Sequence, residues 1–202
     1  MSKMTAPLLL AILLLAGCGS ASRTGSGSAA STPASGSAVN PNVPESLPPG
    51  DIPDTTAYVP YAVPGAGYSV STPEGWSRSS SGGAVSFTDK LNAVRIAAQP
   101  ARAPITVASV RRTVVPMLAR TTKGFKLQSV TAVTRQGGPA IRTAYLGYSK
   151  PDPVTGKFGV IAIERYDFSH RGRDVIVTLS APNGSDNVDP WTKVTNSLRF
   201  TR

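Results

Sequence analysis

The 202-residue chain has one cysteine, Cys18, and one histidine, His170. The lone thiol excludes an intramolecular disulfide, so the fold must hold by burying an apolar core. With a single histidine as well, the nitrogen and sulfur ligands of a zinc site are missing. The apolar run from Ala6 to Ala16 falls short of the roughly 20 residues that span a bilayer. Carboxylates are also scarce: 11 Asp and Glu stand against 21 Lys and Arg, giving a formal charge of +10 and a pI near 10.2. Such a field attracts polyanions and acidic membrane surfaces. No nucleic-acid recognition motif accompanies it, and a charged surface that simply keeps the protein soluble is the plainer account.

What is present at the start of the chain is a lysine, Lys3, ahead of the apolar run, and then Leu15-Ala16-Gly17-Cys18. A charge followed by a short greasy core has the form of a secretory signal. The four residues at its end resemble the lipobox of bacterial lipoproteins. That resemblance implies cleavage after Gly17 and a thioether-linked diacylglycerol on Cys18, so that residues 1–17 are a signal peptide. An odd cysteine in an exported chain needs an explanation, and lipidation supplies one; an ordinary signal with an incidental cysteine is the other reading. Two or three acyl chains, at about 0.8 kcal/mol per buried methylene, hold a protein firmly. The implied location is the cell membrane, lipid-anchored on its extracytoplasmic face, with anionic lipid headgroups or envelope polymers as neighbours.

From Gly19 to Ala38 the residues are Gly, Ser, Ala and Thr with one Pro and Arg23, too polar and small to offset the entropy of ordering. Prolines then recur at 41, 44, 48, 49, 53, 60 and 64, which favours a stiffer, extended stretch. Residues 18–66 are therefore expected to be a tether, with Tyr58, Val59, Tyr61 and Val63 either packed on the domain edge or free. A folded domain is expected over 67–202.

Within it, Tyr68 to Trp76 alternates and then turns at Pro73-Glu74-Gly75. Period-two alternation around Val85–Phe87 and Val94–Ala98, on either side of Asp89–Asn92, is a hairpin signal. Thr106 is a cap for a helix carrying Val107, Val110, Val114, Met117 and Leu118 at helical spacing. Pro116 should kink or restart that helix, and Gly124 stands where a left-handed terminating residue is wanted. Four extended segments follow, 125–134, 140–149, 158–169 and 174–180, joined by turn sequences too short for parallel crossovers. Val175, Val177 and Leu179 oppose Ile176 and Thr178, so both faces of this sheet are apolar and both need cover; helices on each side are expected. Asp189 as cap and Pro190 at the first helical position start a last helix with Trp191, Val194 and Leu198 on one face.

The run 68–76, the Gly137-Gly138 turn before a Tyr-bearing strand, the hairpin 161–179 and the closing Trp191, Val194 and Ser197-Leu198-Arg199-Phe200 resemble the PsbP-like family. That family includes a photosystem subunit, a Ran-binding import factor and actinobacterial lipoproteins of the Lpq type. The resemblance implies an α+β fold, an antiparallel sheet of about six to seven strands sandwiched between helices, and a binding or assembly role with no shared catalytic residues.

The residues offer little chemistry of their own. His170 lies in a Ser-His-Arg-Gly-Arg turn without an evident orienting partner. The cluster Gly184 to Asp189 lacks the ligand spacing of a calcium loop, and Thr155-Gly156-Lys157 lacks the rest of a phosphate loop. Glu164-Arg165 interrupts an apolar strand and is expected to pair with Arg142 or Arg95. The expected function is a non-enzymatic, membrane-anchored envelope lipoprotein that binds or helps assemble another envelope protein or an anionic polymer. It is expected to be monomeric, without cofactor, metal or nucleic acid. The alternative is a binder of a small apolar or anionic ligand in a pocket between sheet and helix.

Overall fold

The computed structural model describes residues 48–201; the expected signal peptide, Cys18 and the expected tether up to residue 47 lie outside them. Ten strands form two antiparallel sheets. The larger contains β3 (Ser77–Ser81), β4 (Ala84–Asp89), β5 (Asn92–Pro100), β6 (Lys126–Arg135), β7 (Gly138–Tyr148), β8 (Val160–His170) and β9 (Arg173–Pro182), in the order β3-β4-β5-β9-β8-β7-β6. The smaller contains β1 (Tyr58–Ala62), β2 (Tyr68–Pro73) and β10 (Arg199–Phe200), with β2 in the middle.

Strand order explains the helix. After β5 the chain must reach the far edge at β6 and return through β7 and β8 to place β9 beside β5. Four strand spacings amount to about 19 Å. The helical segment 107–121 is fifteen residues long, about 22 Å at the usual rise, and so has the length to make that crossing. Its start is a capping box in which Thr106 Oγ1 accepts from the Ser109 amide at 3.0 Å and Ser109 Oγ accepts from the Thr106 amide at 2.8 Å. Pro116 is accommodated as a restart: a π-helical turn, Val110–Val114, gives way to a new α-helical stretch, Val115–Thr121, with the proline in its first turn, where no amide is missed. Gly124 ends the segment at φ +67°, with the Tyr148 ring packed where a Cβ would stand.

The two faces are covered differently. Val110 packs on Val130 and Ile141, and Leu118 packs on Tyr145 and Ile163, so the helical segment covers one face. On the other, Phe87, Ile96, Phe168, Val177 and Leu179 meet Ile52, Tyr68, Val70, Trp191, Val194 and Leu198. That cover comes mainly from the three-stranded sheet together with the C-terminal helix, Val188–Asn196, rather than from helices alone. The expected helices thus lie on both sides, with a small sheet added on the second. The extra layer gathers strands from both ends of the domain: β1 is proline-bearing, and β10 has two residues.

The expected boundary at residue 67 also moves. Ile52 is 6% exposed, and its amide donates to Asn187 Oδ1 at 2.8 Å, while Asn187 Nδ2 donates to the Gly50 carbonyl at 2.8 Å. Folded structure therefore reaches back at least to Pro48. Pro60 does not prevent strand formation, because β1 is an edge strand and needs ladder bonds on one side only. Asn187, not Asp189, precedes the last helix, and its side chain is engaged with the amino-terminal segment instead of capping. We expect Asn187→Ala to strand the Ile52 amide and lower stability by about 1–3 kcal/mol in urea unfolding. A chain beginning at Gly67, which lacks Ile52 and β1, should unfold at lower urea than one beginning at Gly19.

Candidate functional site

The residues singled out by sequence are dispersed. His170 ends β8, exposed, and stacks on Phe200 with ring centroids 4.4 Å apart. Asp152 accepts from the amides of Val154 and Thr155, at 3.0 and 2.7 Å, and from Thr155 Oγ1. These bonds hold its exposed carboxyl below the usual range and make the Thr155-Gly156-Lys157 stretch an internally bonded loop turn. In the 184–189 segment Asp186 and Asn187 bind the backbone and side chains of residues 50–52. Among the described residues no three His, Cys, Asp or Glu side chains converge. Cys18 lies outside the described residues.

Glu164 and Arg165 sit on opposite faces of β8, and each finds a partner. Glu164 pairs with Arg142 on β7, its second oxygen accepting from the Tyr166 hydroxyl at 2.7 Å. The Tyr166 hydroxyl accepts from Arg135 at 3.3 Å, and Arg135 Nε donates to Thr195 Oγ1 at 3.1 Å, tying β6, β7, β8 and the C-terminal helix together. Arg165 is held by Asp167 on its own strand, in a two-pronged bond at 2.6 and 2.9 Å. Side chains at i and i+2 of a strand share a face, so this partner was available in the sequence. The Arg142 pair joins residues diagonal across two strands, which needs the register. The network locks charge in place: both Glu164 oxygens are engaged, leaving no free base beside a free acid.

Three of the clefts on the surface of the described residues combine apolar lining with charged or carboxylate groups. One of about 750 Å³ lies between the β4–β5 turn and the loop joining β7 to β8, lined by Leu91, Val160 and Ile161 with Lys90, Lys150 and Lys157. A second, of about 560 Å³, carries Asp51, Glu74, Asp89 and Trp76. A third, of about 510 Å³, lies at the start of the helical segment beside Ile105, Val107 and Ile141; its carboxylate, Asp167, is already paired with Arg165. Between the large sheet and its covers the space is filled by side chains such as Tyr166, Phe168, Ile96 and Leu198.

No family model and no curated protein matches the sequence. Several solved structures resemble it in fold. The Ran-binding protein Mog1p of Saccharomyces cerevisiae is similar over 72% of this chain and 96% of its own, with a TM-score of 0.50 and 8% identity. The cyanobacterial PsbP of Synechocystis is similar over 75% and 98%, with a TM-score of 0.46 and 14% identity. LpqN of Mycobacterium tuberculosis, involved in cell envelope biogenesis, is similar over 74% and 93%, with a TM-score of 0.43 and 16% identity. A longer Bacteroides thetaiotaomicron protein matches at a TM-score of 0.48 and 15% identity, and the chain spans 48% of its length. The fold class is thus the expected one: α+β, built on an antiparallel sheet.

Burial first, and the neighbouring Glu164 second, hold the Tyr166 phenol above its ordinary value, and burial does the same for Tyr145. Their folded values exceed the unfolded ones. The stability they contribute is therefore complete below the ordinary phenol value near 10 and drains away as pH rises through the folded values. The urea midpoint should fall above about pH 10, and the fall should be shallower in Tyr166→Phe. Glu164→Ala leaves the Arg142 guanidinium and the Tyr166 hydroxyl without their acceptor. It should lower stability by about 1–3 kcal/mol, and a double-mutant cycle with Arg142→Met should show the two changes to be non-additive.

Proposed function

We propose that the protein is a lipid-anchored lipoprotein of the cell envelope, held at the extracytoplasmic face of a membrane through Cys18, whose domain acts as a non-enzymatic binding or assembly accessory. The observation that carries the binding role is the filled interior beside an exposed greasy rim: the layers close on one another, while Leu91, Val154 and Phe158 are 57%, 90% and 57% exposed. Exposed apolar residues gathered at one place mark an interaction surface. The engagement of both Glu164 oxygens supports a role without bond-breaking chemistry. Mog1p, which binds Ran, shares the fold; binding is the part of its description we carry over, without the partner. A small ligand between sheet and helix has less support, because the cleft at the start of the helical segment offers one carboxylate that is already paired.

The lipid anchor rests on the Leu15-to-Cys18 residues. The expected result is that the protein incorporates labelled palmitate and sediments with membranes, and that Cys18→Ser abolishes both. Label-free protein, or membrane retention unchanged in Cys18→Ser, would overturn the anchor. For the binding role, crosslinking on intact membranes should give a discrete adduct with one envelope component.

A further inference from the structure

The surface charge is sorted by layer. From Lys90 to Pro151 the chain carries eleven Lys and Arg and no carboxylate. This stretch includes the whole helical layer, where Arg111, Arg112 and Arg120 are exposed. The layer on the other face, residues 48–76 and 183–200, carries Asp51, Asp54, Glu74, Asp186 and Asp189 against Lys193 and Arg199. The cleft between the β4–β5 turn and the β7–β8 loop lies at the rim of the basic side. Lys90, Lys150 and Lys157 surround its apolar lining, and its one carboxylate, Asp152, is engaged inside its own turn. Beside it the Phe158 ring meets the Tyr148 ring at a tilt with centroids 4.9 Å apart, both exposed.

We propose that this rim is a docking surface for an anionic bilayer: Leu91, Val154 and Phe158 enter the headgroup region while the surrounding lysines meet lipid phosphates. An apolar tip with cations around it is the arrangement that binds acidic membranes in the interfacial plane. Lysine suits this role because its flexible stem lies along apolar surface while its ammonium reaches outward. The loop is also preorganised. Pro151 and Pro153 restrict it, and the Asp152 bonds close its turn, so little conformational entropy is lost on insertion. The chain enters the domain at the same end, since Pro182, which lines the cleft, lies against Gly50, and Ser185 donates to the Pro49 carbonyl. On the anchored reading above, the tether would bring this rim to the bilayer; the charge and the apolar residues argue for docking without it.

The test uses the chain from Gly19 on, which keeps every core residue and removes any acyl chain. Its partition is measured by cosedimentation with phosphatidylcholine vesicles, with and without phosphatidylglycerol, at low and high salt. Binding is expected only to the acidic vesicles and should weaken with salt. With each surface lysine worth about fivefold, Lys150→Gln with Lys157→Gln should weaken binding by about 25-fold. Phe158→Ser with Leu91→Ser should weaken it by about fivefold or more. Lys193→Gln with Arg199→Gln, equal in charge lost but placed elsewhere, should leave it nearly unchanged. A Phe158→Trp chain should show a blue-shifted emission on binding. The proposal is overturned if neutral vesicles bind as well, if the two pairs of charge variants lose affinity equally, or if the tryptophan stays in water. Capture by an anionic envelope polymer while acidic vesicles are ignored would also overturn it and assign the rim to the polymer.

Discussion

A β-sheet that is apolar on both faces cannot exist uncovered, and that constraint organises this domain. It is sharpest at β9, where Val175, Val177 and Leu179 are fully buried toward one side and Ile176 is buried toward the other. β9 also joins the two halves of the sheet, pairing with β5 and with β8. Pairing the end of the meander with an early strand obliges the intervening chain to cross a face, and the crossing becomes the helical cover. The second face is left for whatever flanks the sheet in sequence, and both ends of the described chain supply it. Residues 48–73 and 188–200 come together there because each is too short to bury its own apolar residues.

Two sets of polar groups inside this frame are satisfied by long-range partners. Asn187 is 2% exposed and fastens the amino-terminal segment, while Arg135, Arg142, Glu164 and Tyr166 link three strands to the C-terminal helix. Removing one member of such a set costs more than the set contributes, because the remaining members are left without partners. These groups therefore fix how the layers sit on one another.

How much of this was legible depends on where each signal lived. Strands β4 to β9 were readable because their alternation is apolar and their turns are made of Gly, Pro, Asn and Asp. Strand β3 was not, since Ser77–Ser81 is wholly exposed and forms by pairing with β4 rather than by burying anything. Strand β1 was half-legible: its aromatic and apolar residues were visible, but five prolines between 48 and 64 read as a linker, and only the edge position reconciles them with a strand. The helix start at Asn187 was hidden because Asp189-Pro190 is a better local cap; a distant bond to Ile52 decided otherwise. The Glu164–Arg142 pair was among the named options, whereas Arg165–Asp167, its partner two residues on along the strand, was not.

The formal charge of +10, read as a single number, describes no surface that a partner would meet. Neighbouring layers stack about 10 Å apart, so the outer surfaces of the two covers are separated by more than twice the physiological Debye length of about 8 Å. Each surface then acts with its own charge: acidic where residues 48–76 and 183–200 lie, basic where the helical segment lies. An anionic surface is repelled from one side and drawn to the other, so it orients the domain before any contact forms. A uniformly basic coat that only kept the protein in solution would not need this arrangement. The division follows from contiguous stretches of sequence occupying separate covers: the helical segment brings Arg111, Arg112 and Arg120 to one outer surface, and the two ends of the described chain bring their carboxylates to the other.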